Sequence, residues 1–151
     1  MMTTTTISHK QLAVNSFNAV WDLLDLPQRT KEEEEKMIHL AHTSFWHWKQ
    51  VVDHTPQNLS IGYWQLSRVY STAGLGERAV YYGNRCLEVS LEHNIEPFYI
   101  GYAYEALCRA YALLGQTDAS KKAYSTALEY VQQIVDENSK EILVKDLQTI
   151  V

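Results

Sequence analysis

Apolar residues recur three and four positions apart through most of the chain, which is the spacing of amphipathic helices. No alternating apolar run flanked by turn dipeptides predicts a strand. The pattern predicts seven helices, at about residues 8–25, 30–52, 55–74, 76–93, 97–115, 117–136 and 138–151. The short loops between them make neighbouring helices antiparallel. The predicted fold is therefore all-α, a stack of helical hairpins.

Residues with capping chemistry mark the ends of these helices. Thr30 followed by Glu33 predicts a capping box at the second helix. Thr55 followed by Pro56 predicts a cap and a first-turn proline at the third. Asn94 is expected to stop the fourth helix, and Asn138, with Glu141 three residues on, to cap the seventh.

Two stretches of the chain are nearly the same. "YWQLSRVYSTAG" begins at Tyr63, and "YEALCRAYALLG" begins at Tyr104, 41 residues later. The shared residues are Tyr63/Tyr104, Leu66/Leu107, Arg68/Arg109, Tyr70/Tyr111 and Gly74/Gly115. A repeat of this length across helical hairpins indicates a solenoid.

The repeat resembles the tetratricopeptide repeat (TPR). In that family the first helix carries a large, a large–small and an aromatic position and ends in glycine. The second helix then carries small, aromatic and small positions. On this resemblance, the small residues at the helix crossings are Ser67 with Ala79 and Cys108 with Ser120, followed by Cys86 and Ala127. The resemblance implies a right-handed superhelical stack of antiparallel helical hairpins.

The resemblance covers residues 58–136 and departs from the family in three ways. The period is 41 residues, against about 34 in the family, and we expect the excess to lengthen the fourth helix. Gly83 occupies the aromatic place. Residues 8–54 match poorly and are interpreted as a divergent hairpin. The predicted organisation is a frayed segment at 1–7 and a single domain at 8–151, with repeats at 55–94 and 95–136 and a capping helix at 137–151. Bacterial proteins of this length, uncharacterised in activity, are similar.

The repeated arginine is not part of the family's packing pattern. By the resemblance, its place faces a concave groove lined by Ile61, Trp64, Gln65, Arg68 and Ser71, and by Tyr102, Glu105, Arg109 and Ala112. Two arginines beside aromatic rings predict a site for a protein or peptide partner with an acidic segment, or for a small acidic ligand. Two alternatives stay open: Glu105 pairs with Arg109 along the helix, and Arg68 stacks on Trp64.

A second candidate region is "HLAHTSFWHWKQ", which begins at His39. His39, His42 and His47 indicate an alternative function as a metal- or small-ligand-binding protein, or an enzyme, although no HExxH motif is present. Trp46 is expected to point away from the apolar arc. Either the first helix covers it, or it forms a contact surface for a partner or for a second copy, as in a homodimer or larger homo-oligomer.

Composition narrows the function further. A net charge of -5 and no basic stripe argue against nucleic acid as a partner. No apolar run is long enough for a membrane span, and the N-terminus does not read as a signal peptide. Two cysteines within helices are no disulfide framework and favour the cytoplasm. No motif predicts a cofactor, a resident metal or a catalytic residue. The leading hypothesis is a non-catalytic interaction module.

Overall fold

The computed structural model describes residues 6–150, and its described part is all-α, with seven helices and no strand. The helices are α1 (His9–Leu24), α2 (Lys31–Gln50), α3 (Pro56–Thr72), α4 (Gly76–Glu92), α5 (Pro97–Leu113), α6 (Thr117–Val131) and α7 (Glu137–Gln148). The prediction of a hairpin-based helical fold is confirmed. The frayed segment predicted at 1–7 lies, for residues 1–5, outside the described residues. The chain divides into two compact units, with the boundary between His54 and Thr55.

The first unit is an antiparallel pair of helices, α1 and α2. Ala13 and Val20 of α1 and Ala41 of α2 are buried between them. The Ser44 hydroxyl, also buried, donates a hydrogen bond across the pair to the backbone oxygen of Ala13 (2.8 Å). This bond fixes the position of one helix along the other.

The second unit contains the hairpins α3–α4 and α5–α6, followed by α7. Helix α5 packs against both α3 and α4, and α7 packs against α5 and α6. The core around α7 consists of Ala127, Ile134, Leu143 and Leu147. Another cluster of buried residues, within the α5–α6 hairpin, contains Leu107, Cys108 and Ala123.

The small residues of the repeat occupy the helix crossings as predicted. The Ser67 hydroxyl of α3 donates to the Ala79 oxygen of α4 (2.8 Å). In the second hairpin the direction is reversed, and the Ser120 hydroxyl of α6 donates to the Cys108 oxygen of α5 (3.0 Å). At Gly83 the helices approach closely, and a Cβ there would lie 2.9 Å from a methyl carbon of Leu107.

Several predicted helix ends are confirmed. Thr30 and Thr55 each accept a hydrogen bond from the backbone three residues on, in complete capping boxes. Asn94 has φ of 47°, the left-handed conformation that ends a helix. The expectation that most of the excess lengthens α4 is wrong, since α3, α4 and α5 each have 17 residues.

The boundary between α6 and α7 differs from the prediction. Helix α6 ends at Val131 and does not continue to 136, and Ile134 then turns into the core. The cap of α7 is Asp136, not Asn138, and its carboxylate accepts from the backbone nitrogen (2.9 Å) and hydroxyl (2.8 Å) of Ser139. On α7, Leu143 and Leu147 are buried, whereas Ile142 is 53% exposed.

Candidate functional site

The predicted groove residues meet at one buried carboxylate, Glu105 of α5. Its side chain has no exposed surface. The indole Nε1 of Trp64 donates to Glu105 Oε1 (2.9 Å), and Arg68 donates to Oε2 (3.3 Å). Arg109, one turn further along α5, donates to the same Oε2 (2.9 Å). The two arginines of the repeat are therefore joined through a single acid.

Helix α7 and its C-terminal cap complete this network. Arg109 also donates to the backbone oxygen of Asp146 (3.0 Å) and to the hydroxyl of Thr149 (2.8 Å). The Asp146 carboxylate accepts a 2.6 Å hydrogen bond from the Tyr102 hydroxyl and lies 3.9 Å from Arg68. Burial, together with this bond to Asp146, raises the pKa of the Tyr102 phenol. Its hydroxyl is thus held neutral as a donor.

Both open alternatives for the arginines describe contacts that are present. Arg109 pairs with Glu105 along α5. The Arg68 guanidinium lies 5.2 Å from the ring centroid of Trp64, at cation–π distance. The charges of Arg68 and Arg109 are matched by those of Glu105 and Asp146. The cluster has no net charge.

An apolar pocket lies beside the network, between α3 and α5. It has a volume of about 270 Å³ and is lined by Ser60, Ile61, Trp64, Phe98, Tyr99 and Tyr102. The aromatic rings that form its walls contact one another edge to face. The Trp64 and Tyr102 rings meet at 79° (5.4 Å between centroids), and Phe98 meets Tyr102 at 74° (5.1 Å).

The structure separates the predicted binding residues into two groups. Ile61, Trp64 and Tyr102 line the apolar pocket, whereas Arg68 and Arg109 belong to the neighbouring network. The prediction that Gln65 and Glu105 face an open groove is wrong: they are 1% and 0% exposed, because each points into the packed interior of the unit. Ser71 and Ala112 line a smaller pocket beside Arg109.

Three residues of this region were missed by the sequence interpretation. Phe98 and Tyr99 lie six and five residues before Tyr104, where the repeated stretch begins, so the repeat alignment did not include them. An aromatic run directly after Pro97, at the start of a groove helix, was the signal available. Asp146 lies on α7, where no repeat comparison applies.

The histidine and tryptophan stretch of α2 meets a residue that the sequence did not single out, His9 of α1. The Nδ1 atoms of His9 and His47 are 2.9 Å apart. Trp46 contacts both imidazoles edge-on, with centroids 5.8 Å and 5.2 Å away. It is still 57% exposed, so α1 reaches Trp46 without covering it.

The predicted histidine set does not converge. His39 is exposed and His42 is half-buried, and neither joins His47 in a shared cluster. Within residues 6–150, no three His, Cys, Asp or Glu side chains come together where a metal ion could bind. The close pair of His9 and His47 links α1 to α2.

The cysteines are buried and unpaired with each other. Burial raises the pKa of the Cys86 thiol to about 12, and it also raises that of Cys108. A thiol with a raised pKa is a poor nucleophile. Cys86 donates a hydrogen bond to the Ser60 oxygen (3.3 Å). Both side chains therefore act as small packing residues.

Over the described residues, no helix is both long and apolar enough to cross a membrane.

Similarity to other proteins is a further guide to function. No protein-family model, no curated protein and no solved structure matches this chain.

Proposed function

We propose that this protein is a non-catalytic interaction module of the tetratricopeptide type, and that it binds a peptide segment of a partner on the α3–α5 face. The observation that carries the proposal is the aromatic pocket of Ile61, Trp64, Phe98, Tyr99 and Tyr102. Concave apolar pockets with a few polar groups at the rim are the usual ligand sites of proteins. Here Trp64 and Tyr102 carry polar groups into the pocket wall, and these groups donate hydrogen bonds to Glu105 and Asp146 of the neighbouring network.

The size of the pocket favours a side chain as its occupant. Its volume of about 270 Å³ lies just below the range of roughly 300–1,000 Å³ typical of pockets for drug-sized ligands. One large apolar or aromatic side chain of a peptide suits such a space. Burial of that side chain would contribute roughly 1.5–3 kcal/mol to binding.

The charge balance argues against a carboxylate as the main anchor. An acidic ligand would have to compete with Glu105 and Asp146 for the guanidinium groups of Arg68 and Arg109. The arginine side chains are only 16% and 20% exposed. We therefore infer that an apolar side chain supplies the affinity, and that an acidic residue of the partner adds selectivity at the exposed arginine edges.

The proposal places the protein in the cytoplasm, without a catalytic role. Cys86 and Cys108 are free and buried, which suits a reducing compartment. Their raised pKa values make nucleophilic catalysis by either thiol unfavourable.

Peptide selection on the intact chain tests this function. A random peptide library is displayed on phage, and the selected peptides are titrated by fluorescence polarisation. We expect them to share an aromatic or large aliphatic residue. Tyr99→Ala should weaken their binding at least tenfold, because it removes one wall of the pocket. Tyr81→Ala is the matched control, since Tyr81 is 55% exposed on α4 and does not line the pocket.

Two outcomes would overturn the proposal. One is a set of peptides that bind equally well to the wild type and to Tyr99→Ala. The other is a set defined by aspartate and glutamate alone, which would restore the acidic-ligand hypothesis. Charge reversal at Arg68 and Arg109 is a poor probe, because it would place new carboxylates against the buried Glu105.

Self-association is the second candidate function. The 57% exposed ring of Trp46, together with the fully exposed Val52, is the observation that favours it. Light scattering on the wild type and on Trp46→Ala tests this directly. A dimer that dissociates in the variant would support it, and a monomer at all concentrations would contradict it.

A further inference from the structure

His9 and His47 bring two imidazoles close together between α1 and α2. Their Nδ1 atoms are 2.9 Å apart, with ring centroids separated by 5.1 Å and planes tilted by 36°. At this distance one nitrogen must donate and the other accept. When both rings carry their proton on Nε2 instead, the two Nδ1 lone pairs are free to bind one metal ion together.

We propose that His9 and His47 form a binding site for a divalent transition metal ion that prefers square-planar or tetragonal coordination, Cu²⁺ above all. Neutral imidazole nitrogen is a preferred ligand of Cu²⁺. The site is separate from the aromatic pocket and does not depend on the function proposed for it.

The distance between the two Nδ1 atoms favours a square-planar coordination geometry for the bound ion. Metal–nitrogen bonds in proteins are about 2.0–2.1 Å long. Two nitrogens 2.9 Å apart subtend about 90° at an ion bound at that length. This is the angle between neighbouring ligands in a square-planar site. A tetrahedral ion such as structural Zn²⁺ would require the nitrogens to move further apart.

The backbone holds the two ligands in register. His9 lies one turn before Ala13, and His47 lies one turn after Ser44. The hydrogen bond from the buried Ser44 hydroxyl to the Ala13 oxygen locks these two turns together. Only the imidazoles need to rotate to direct both lone pairs at one ion. Ligands positioned in this way lose little conformational freedom on binding.

The other coordination positions face solvent. His9 is exposed, and no third His, Cys, Asp or Glu side chain of residues 6–150 completes the set. Water or a group from a second molecule would therefore fill them. Trp46 forms one side of the site, with its ring centroid 5.2–5.8 Å from the two imidazole centroids. Paramagnetic Cu²⁺ bound there would quench the fluorescence of Trp46.

The test is a titration of the full chain with Cu²⁺ in a buffer that does not chelate metals, followed by tryptophan fluorescence and by electron paramagnetic resonance. We expect one Cu²⁺ per chain, two imidazole nitrogens in the resonance spectrum, and quenching that is largely lost in Trp46→Phe. His9→Gln and His47→Gln should each weaken binding at least tenfold. His39→Gln is the matched control, because His39 is exposed on the same helix and lies outside the pair.

Circular dichroism on each variant establishes that the helices are retained. Cu²⁺ binding that survives in both His9→Gln and His47→Gln would overturn the proposal, since the ion would then be held elsewhere. So would a wild type with no binding stronger than that of the His9→Gln/His47→Gln double variant. In that case the pair is only a hydrogen bond between α1 and α2.

Discussion

Glu105 is a fully buried carboxylate that receives hydrogen bonds from three side chains on two helices. Removing a carboxylate from water costs several kcal/mol unless its partners are well placed. Trp64 and Arg68 reach it from α3, and Arg109 from α5. A buried acid of this kind ties the first helices of two successive hairpins at a fixed register. The repeated arginine is therefore explained by the fold itself.

We predict that Glu105→Gln destabilises the protein by about 3 kcal/mol, because two arginines lose their shared buried partner. The glutamine oxygen can still accept a hydrogen bond from Trp64, so the loss of stability measures the effect of removing the negative charge. Urea unfolding followed by circular dichroism measures it. Glu88→Gln, which breaks the exposed pair with Arg85, should cost less than about 1 kcal/mol. Equal losses in the two variants would contradict the role of Glu105.

Tyr102 makes stability sensitive to alkaline pH. Burial, followed by the bond to Asp146, raises its pKa in the folded state above the ordinary value of 10.0. The folded protein thus favours the neutral phenol. The stability that the neutral phenol adds to the folded protein is present in full below pH 10, and it is lost as the pH rises above that value.

Tyr102→Phe removes that dependence, along with the hydrogen bond. We expect the variant to be less stable than the wild type at pH 8, and the difference between them to narrow by pH 10.5. Urea midpoints at the two pH values measure it. Other half-buried tyrosines with raised pKa values, such as Tyr82 and Tyr104, affect both proteins alike and cancel in the comparison. A difference that stays constant or grows would show that Tyr102 does not titrate as argued.

At the scale of the helices, most boundaries could be predicted because their signals are local. Thr30 with Glu33 and Thr55 with Asn58 form capping boxes within four residues of chain. The junction of α6 and α7 could not be placed in this way. Asp136 and Asn138 are both good capping residues, and what decides between them is the burial of Ile134 in a core shared with Leu143. That contact is tertiary and leaves no local pattern.

The cap of α7 provides a direct test of this junction. The hydrogen bonds from Ser139 lower the pKa of the Asp136 carboxyl, as expected for a charged cap at a helix start. We predict that Asp136→Ala lowers the melting temperature by a few degrees, and that Asn138→Ala leaves it nearly unchanged. Differential scanning calorimetry measures both. The reverse order would mean that α7 begins two residues later in solution.

At the scale of the whole molecule, the network around Glu105 and the histidine pair depend on long-range contacts that no sequence pattern predicts. The repeat correctly brought Trp64, Tyr102 and Arg109 into one region. It could not supply Asp146, whose backbone oxygen pairs with Arg109 across 37 residues, or His9, which meets His47 across 38. The first pairing follows from the packing of α7 against α5, and the second from the register of α1 against α2. Sequence periodicity shows only which face of each helix is buried.

The division of the chain at Thr55 predicts which part folds alone. In residues 55–151 every helix has a packing partner within the unit, and the clusters around Leu107 and Leu143 are complete there. Thr55 also supplies its own capping box. We expect this fragment to be helical and to unfold cooperatively in urea. Residues 6–54 contain two helices that pack against each other through a single shared face. Helical stability in proteins comes mostly from such packing, so we expect this smaller unit to be less stable by itself.

The decisive comparison is with residues 55–136, which lack α7. Removing Leu143 and Leu147, both fully buried, uncovers Ala127 and Ile134 and takes Asp146 away from Tyr102 and Arg68. This shorter fragment should lose cooperativity and expose apolar surface, measured by circular dichroism and by dye binding. If it unfolds as sharply as 55–151, α7 is not the cap of the unit. If 55–151 is itself unfolded, its stability depends on residues 1–54.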